Sequence, residues 1–139
     1  MAIAYLSRAV AFAAQHQYHK PDWSAERNRE FFGACAEEHD HDYRCLVTVR
    51  GPIQPNHDLV MDMGLLDRIL DEEVTRRFHG RAIHRDLPEF ADGKILPSTE
   101  GLAVYIWQRI VPRLPPGVRL HVVRVEENPH LYTEYFGEA

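Results

Sequence analysis

The sequence has only two cysteines, no long apolar run and no excess of basic residues. If residues 39–50 form a β-strand, Cys45 lies inside it, and a bridge to Cys35 just before that strand would conflict with the geometry of a disulfide. We therefore expect two free thiols. Cys45 fits a small core residue, because free cysteine is among the most buried residue types.

The absence of long apolar runs argues against a membrane-spanning helix. Nowhere do about eighteen apolar residues follow one another, and residues 1–8 lack the basic and long apolar regions of a secretory signal peptide. The formal net charge is −5, whereas binding to a phosphate backbone depends on clustered lysine and arginine. We expect a soluble, cytoplasmic protein with no membrane or nucleic-acid partner.

The composition is that of a folded chain. Apolar residues make up 45% of the sequence, which excludes a disordered protein. A length of 139 residues fits one domain, 1–139, that buries about two-thirds of its unfolded surface. We find no internal repeat and no low-complexity segment.

Histidines mark the ends of two predicted strands. His39 and His41 lie two residues apart at the start of an apolar alternation, so in a strand both share the face that the core covers. His16 ends an earlier strand-like stretch, 4–16, and an adjacent antiparallel strand would bring it alongside. Zinc takes three or four N, S or O ligands. The pattern makes the three histidines a candidate metal site, but a His-x-His pair is common without metal and does not by itself predict one.

The remaining segments predict helices and two more strands. Helical spacing of apolar residues predicts an amphipathic helix over 64–78, and the Ser98 and Thr99 hydroxyls can cap a second helix that ends near Pro112. Strands are predicted at 118–126 and near 131–136.

Two connecting segments are also informative. Ser24 can cap a short helix over 25–32 that ends at Gly33. Residues 79–97 are predicted to be a long loop, and such loops are usually functional or mobile.

Five runs of residues occur in a characteristic order along the chain. They are Phe12-Ala13-Ala14-Gln15-His16, Cys35-x3-His39-x-His41-x-Tyr43, Val47-Thr48-Val49-Arg50-Gly51-Pro52, Val60-Met61-Asp62 and Pro97-Ser98-Thr99-Glu100. In these runs the chain resembles the 6-pyruvoyltetrahydropterin synthase and 6-carboxytetrahydropterin synthase family over nearly its whole length. The resemblance implies the tunnelling fold, an α+β fold in which an antiparallel four-stranded sheet carries two helices on one face in the order β-β-α-α-β-β.

The resemblance also implies a metal and a base. It implies Zn²⁺ held by His16, His39 and His41, and it implies that Cys35 is the base that abstracts a carbon-bound proton. A nearby cation lowers the pKa of a thiol, so zinc or a protonated histidine would favour the thiolate that this role requires.

Three further residues match positions that hold the pterin substrate in the family. These are Thr99, Glu100 and Glu126. Capping of the late helix explains Thr99 and Glu100 without any ligand. Glu126 lies on the parity of a mostly apolar strand face, where a carboxylate needs a partner such as a guanidine-like edge of a substrate or the side chain of Arg124.

The chain departs from the family at the catalytic Asp-His dyad. His79 stands at the position of the aspartate and Gly80 at that of the histidine, and we expect His79 to be the residue able to take over proton transfer. Two other family residues are replaced, a glycine by Asp40 and an asparagine by Gly101.

The resemblance thus implies a zinc-dependent lyase of pterin or deazapurine-precursor (queuosine) metabolism. Its substrate would be 7,8-dihydroneopterin triphosphate or a related dihydropterin, and its assembly a homohexamer, a dimer of trimers. Because the dyad is altered, two alternatives stay open. One is retro-aldol cleavage of a dihydropterin side chain, and the other is a pterin-binding homologue that has lost turnover.

Overall fold

Four antiparallel strands form one sheet in sequence order. The computed structural model describes residues 1–138. Its strands are β1 (Ile3–His16), β2 (His39–Pro52), β3 (Arg119–Asn128) and β4 (Leu131–Tyr135), and the sheet order is β1-β2-β3-β4. Both outer strands are therefore edge strands of this sheet.

The pairing of β1 with β2 follows the alternation of the sequence. His16 pairs with His39, Ala14 with His41, and Phe12 with Tyr43. Because residues directly opposite each other in an antiparallel pair share a face, all these side chains lie on one side of the sheet. Further along β2, this face continues into the core through buried apolar residues.

The helices cover that same face. They are α1 (Ala25–Phe32), α2 (Met63–Leu70), α3 (Arg76–Phe78), α4 (Ile83–Asp86) and α5 (Thr99–Ile110). The predicted caps are confirmed, since Ser24 Oγ accepts from Arg27 N–H at 3.0 Å and Ser98 Oγ accepts from Gly101 N–H at 3.0 Å. Within residues 1–138, none of the helices has the length and apolar character needed to cross a membrane.

The predicted helix over 64–78 contains a π-helical turn. This turn, Asp71–Thr75, lies between α2 and α3. It carries Glu73, which is only 5% exposed and accepts hydrogen bonds from Arg77, Arg109 and Arg113. The widened turn thus holds a buried carboxylate against arginines from α3, α5 and the segment after α5.

A β-bulge interrupts β3. Thr48 pairs with Val122 but the next residue, Val49, pairs with Leu120, so His121 is an extra residue in β3. A bulge of this kind reverses the inward and outward alternation beyond it. The side chains of β3 after the bulge therefore face opposite sides from those that simple parity predicts.

The first residues of the segment predicted as a long loop run along the outer edge of β1. Gly80 N–H donates to Ala13 O at 2.8 Å, and Gln15 N–H donates to Arg81 O at 2.9 Å. The chain then enters α4, whose start is fixed by a hydrogen bond from Ala82 N–H to an Asp86 carboxylate oxygen at 2.8 Å. This segment protects the edge of β1 next to the histidines.

Candidate metal and substrate site

Three histidines converge at the ends of β1 and β2. One ring nitrogen from each of His16, His39 and His41 lies within 4.8 Å of the other two. His16 Nε2 and His39 Nε2 are 2.8 Å apart. The cluster predicted from the alternation is therefore present, and its donor set suits a metal ion such as zinc.

Backbone carbonyls fix the orientation of two of these rings. His16 Nδ1 lies 2.8 Å from Pro97 O, and His39 Nδ1 lies 2.7 Å from Glu37 O. A carbonyl oxygen can only accept a hydrogen bond, so in each ring Nδ1 carries the proton and Nε2 carries the lone pair. Hydrogen bonds of this type orient metal-ligating histidines in proteins. The Tyr43 hydroxyl, 2.8 Å from His16 Nδ1, adds a further contact to this nitrogen.

This arrangement leaves two lone pairs facing each other. Two Nε2 lone pairs at 2.8 Å repel unless a proton or a metal cation lies between them. Burial, helped by the positive charges of the neighbouring histidines, lowers the pKa of His16 to about 4 and so opposes protonation of that ring at neutral pH. The residues therefore fit a metal cation better than a shared proton.

Glu127, which the sequence did not single out, faces the cluster. Its Oε1 lies 3.4 Å from His41 Nε2 and 3.6 Å from His16 Nε2, and its side chain is 9% exposed. Among the described residues, neither Glu127 Oε1 nor His41 Nε2 has a hydrogen-bond partner. An ion or ligand bound between them would satisfy both atoms.

Glu126 points to the other face of the sheet. Its Oε2 lies 3.0 Å from Arg124 Nε and 3.6 Å from Arg44 Nη1. The parity argument for its orientation was wrong, because the bulge at His121 shifts the alternation by one residue. A role for Glu126 in substrate binding stays a prediction, whereas Glu127 is the glutamate that the structure brings to the histidines.

Cys35 lies on the short turn between α1 and β2. Its carbonyl accepts from Tyr18 N–H at 2.8 Å, and its side chain is half-buried. Burial, together with the negative charge of Glu127, raises the pKa of the Cys35 thiol above its ordinary value. Without a nearby cation, this thiol stays protonated at neutral pH.

Thr99 and Glu100 occupy the first turn of α5. The Thr99 hydroxyl donates to Glu100 Oε1 at 3.1 Å and lies 2.8 Å from the Thr133 hydroxyl of β4. Thr99 is buried, whereas Glu100 is exposed. The two side chains thus form a hydroxyl and carboxylate pair with a free oxygen on Glu100 toward solvent.

His79 is placed outside the cluster. Its ring is exposed, and Nδ1 accepts from Ala13 N–H at 3.1 Å on the edge of β1. Ala13 precedes His16 by three residues, or about 10 Å along a strand. Within one chain the structure does not bring His79 to the metal site, so its role in proton transfer stays a prediction.

Gly80 and Arg81 border a cavity of about 520 Å³ that also touches His41. The φ angle of Gly80 is +76°, and among described residues nothing lies within 4 Å of the position that a Cβ would take. A left-handed backbone favours glycine over residues with a side chain. The backbone of the 79–82 turn therefore accounts for glycine at this position.

The fold and this site together define a class of α+β protein, the tunnelling fold with a histidine cluster suited to a metal at the ends of its first two strands. The chain belongs to the 6-pyruvoyl tetrahydropterin synthase family, whose model matches residues 5–138. The family and fold predicted from the sequence are confirmed.

Individual relatives are similar over most of their length. The chain is 35% identical over 137 residues to human 6-pyruvoyl tetrahydrobiopterin synthase, covering 97% of this chain and 92% of the human protein. It is 34% identical to the enzyme of that name from Drosophila melanogaster, covering 97% of this chain and 80% of the relative. The solved structure of Caenorhabditis elegans 6-pyruvoyl tetrahydropterin synthase superposes with a TM-score of 0.90 at 25% identity, covering 99% and 98% of the two chains.

Proposed function

We propose that the protein is a zinc-dependent lyase that acts on the side chain of 7,8-dihydroneopterin triphosphate or a related dihydropterin. The observation that carries this proposal is the pair of Nε2 lone pairs 2.8 Å apart on His16 and His39, with His41 beside them. Similarity to enzymes named 6-pyruvoyl tetrahydrobiopterin synthase supports the choice of substrate class.

His16, His39 and His41 would hold the zinc through a ring nitrogen each. When bound, zinc supplies Lewis acidity toward the oxygens of the substrate side chain. The carbonyls of Glu37 and Pro97 keep two rings in the required tautomer, and this preorganisation favours metal over proton at neutral pH.

Cys35 would serve as the base that removes a carbon-bound proton. Its raised pKa means that the metal-free protein holds it as a neutral thiol. A positive charge in the neighbouring cluster would lower that pKa toward the thiolate form. Cys35 would therefore act as a base only when the neighbouring histidine cluster carries a positive charge.

The pterin ring would be held by carboxylates that accept from its N–H groups. We assign this role first to Glu127, because its Oε1 has no hydrogen-bond partner among the described residues, and second to the Thr99–Glu100 pair. Two parallel N–H donors on a guanidine-like edge match a carboxylate well.

We further propose a homohexamer, a dimer of trimers. Several large apolar side chains are exposed on the sheet and its ends, namely Ile3, Tyr5, Leu131, Tyr132 and Phe136. The β4 edge is unpaired within the described residues, and pairing such edges between subunits closes a sheet into a barrel. Light scattering at micromolar concentration should give about six times the chain mass, and a mass of 16.1 kDa would rule the assembly out.

The direct test is a product assay. Purified protein is incubated with 7,8-dihydroneopterin triphosphate, either zinc-loaded or after chelation, and the pterin products and released triphosphate are separated by chromatography. We expect triphosphate release that depends on zinc. If the zinc-loaded protein binds and converts no dihydropterin at all, the proposed function is wrong.

One observation favours a second reaction. Because Gly80 offers no side chain and His79 lies at the edge of β1, retro-aldol cleavage is a reasonable alternative that needs only the metal and one acid or base. In the same assay, dihydroneopterin without phosphates would then lose part of its side chain as a small aldehyde.

A further inference from the structure

His84 is a largely buried imidazole near the histidine cluster but not part of it. It lies in α4, which is anchored by the fully buried Ile83 and by the hydrogen bond between Ala82 and Asp86. These contacts hold the backbone of the helix at His84 in place.

The two ring nitrogens of His84 are both available. The side chain is 13% exposed, and among residues 1–138 neither Nδ1 nor Nε2 has a hydrogen-bond partner. Leaving a buried polar atom without a hydrogen-bond partner is unfavourable, and such groups in native proteins often serve a chemical role or bind a ligand. The proposed histidine site and the Cys35 base make no use of this group.

A carboxylate lies next to one of these nitrogens. Glu38 Oε2 is 3.3 Å from His84 Nε2, while Oε1 is 3.3 Å from Arg85 Nη2. The Glu38 side chain is one-third exposed, so a small rotation would complete a hydrogen bond from Nε2–H. In that tautomer Nδ1 carries the lone pair and can accept a proton.

The surroundings of His84 adjoin those of His16 through Pro97. His84 borders a cavity of about 330 Å³ together with Gln17 and Pro97, and Pro97 O accepts from His16 Nδ1–H. Burial is the main cause of the low pKa of His16, and a positive charge on His84 lowers it further, so the two rings lie within electrostatic range.

We propose that His84 is a proton-transfer residue of this site and that Glu38 is its positioning residue. The inference rests on the proposed function, because a lyase acting on a dihydropterin side chain must move protons. Nδ1 accepts a proton from the substrate and the ring becomes an imidazolium, stabilised by the Glu38 carboxylate. The same proton then returns to the substrate from Nδ1, so the ring ends neutral and no other reagent is consumed.

Other ionisable groups also face the His84 ring. Glu38 approaches from the start of β2, Arg85 lies on the same helix, and His19 and Asp92 border the same cavity, with His16 beyond it. Among the described residues, Glu38 is the only carboxylate within ion-pair distance of His84. Its removal is therefore the sharpest way to change the proton affinity of the ring.

The test compares His84→Gln and Glu38→Gln with the exposed control His57→Gln. For zinc-loaded His84→Gln we expect turnover of 7,8-dihydroneopterin triphosphate to fall about 100-fold, since general acid–base groups contribute factors of this order. Zinc content and Tm should match those of the wild type, and added imidazole should restore part of the rate. For Glu38→Gln the acidic limb of the pH–rate profile should move to lower pH by about one unit, because the imidazolium loses its counter-charge.

A purely structural role gives a different pattern. If Glu38, His84 and Arg85 only clamp α4 to β2, then His84→Gln loses Tm and zinc together with activity, and Glu38→Gln leaves the pH profile in place. Either that pattern or a His84→Gln enzyme with the wild-type rate overturns the proposal.

An NMR experiment separates this inference from the proposed function. In ¹⁵N-labelled wild-type protein at pH 8, long-range spectra should show His84 with a proton on Nε2 and none on Nδ1, and zinc plus 7,8-dihydroneopterin should shift its Nδ1 signal. A proton on Nδ1, or no response to the dihydropterin while other site signals move, overturns the role of His84. Absence of any dihydropterin binding by the wild type would instead refute both the proposed function and the inference that depends on it.

Discussion

Replacing Glu73 with glutamine should destabilise the protein by about 2 kcal/mol. Glu73 Oε1 accepts from Arg77 Nε and Arg109 Nε, both at 3.0 Å, and Oε2 accepts from Arg113 Nη1 at 2.9 Å. Glutamine keeps one oxygen but turns an amide donor toward an arginine, so one bond is lost and the two that remain lose the negative charge of the acceptor. Hydrogen bonds to charged groups contribute about 1.5–3 kcal/mol and neutral ones about 1 kcal/mol. The net loss of stability is smaller than the sum of these contributions, because the arginines are partly exposed and water can replace some of the contacts.

Urea unfolding at fixed protein concentration measures this loss. With a slope of about 1.5 kcal/mol per molar urea, the midpoint should fall by roughly 1 M. Glu72→Gln is the matched control, because the Glu72 side chain is 37% exposed and, among the described residues, forms an ion pair only with Arg113. We expect this control to change stability by less than about 1 kcal/mol.

The same prediction has a pH signature. Burial alone would raise the pKa of Glu73, but the hydrogen bonds from the three arginines outweigh it and hold the pKa below the ordinary value of 4.5. A lowered pKa in the folded state gives stability that is present above pH 4.5 and is lost as the pH falls through the folded value. The difference in free energy of unfolding between the wild type and Glu73→Gln should thus be largest at pH 7 and should decrease below pH 4.5. The reasoning is refuted if Glu73→Gln has the wild-type urea midpoint at pH 7, or if the difference in stability between the two proteins does not decrease in acid.

Two further predictions concern the histidines. His41→Ala should reduce bound zinc from about one per chain to nearly none by metal analysis, whereas the exposed His57→Ala should keep it; full zinc retention in His41→Ala would contradict the assignment. Burial lowers the pKa of His16 from 6.5 to about 4, so this ring is protonated at a higher pH in the unfolded chain than in the folded protein. The metal-free protein should therefore lose about 3 kcal/mol of stability from this group as the pH falls from 6.5 toward 4. His16→Gln should flatten this loss in urea unfolding at pH 7 and pH 5, and an equal loss in the variant would count against the buried, neutral ring.

The histidine part of the site was predictable from the sequence because β2 alternates clearly, although β1 alternates only weakly. His39 and His41 fall on the same face as the core residues of β2, and antiparallel pairing brings His16 opposite His39. Because side chains two residues apart in a strand lie on the same face, the sequence itself shows which residues share a face. The helix caps at Ser24 and Ser98 were predictable for the same reason, since each depends on residues only a few positions apart.

The rest of the site depends on contacts between distant segments. Whether Glu126 or Glu127 faces inward depends on the bulge at His121, and no local residue pattern signals an extra residue there. The position of His84 depends on how 79–86 runs along the β1 edge, which is decided by backbone hydrogen bonds such as that between Gly80 and Ala13. Single-sequence patterns do not report such bonds.

The bulge at His121 also bears on how relatives are compared. Glu126 and Glu127 are neighbours, so a one-residue gap placed on the wrong side of them exchanges an inward carboxylate for an outward one. Because Glu126 and Glu127 are identical neighbours, sequence similarity alone constrains the position of such a gap weakly. Strand pairing with the extra residue at 121 places Glu127, and not Glu126, on the face of the histidines in this chain. The transfer of a carboxylate's role between members of this family therefore depends on where that single gap is placed.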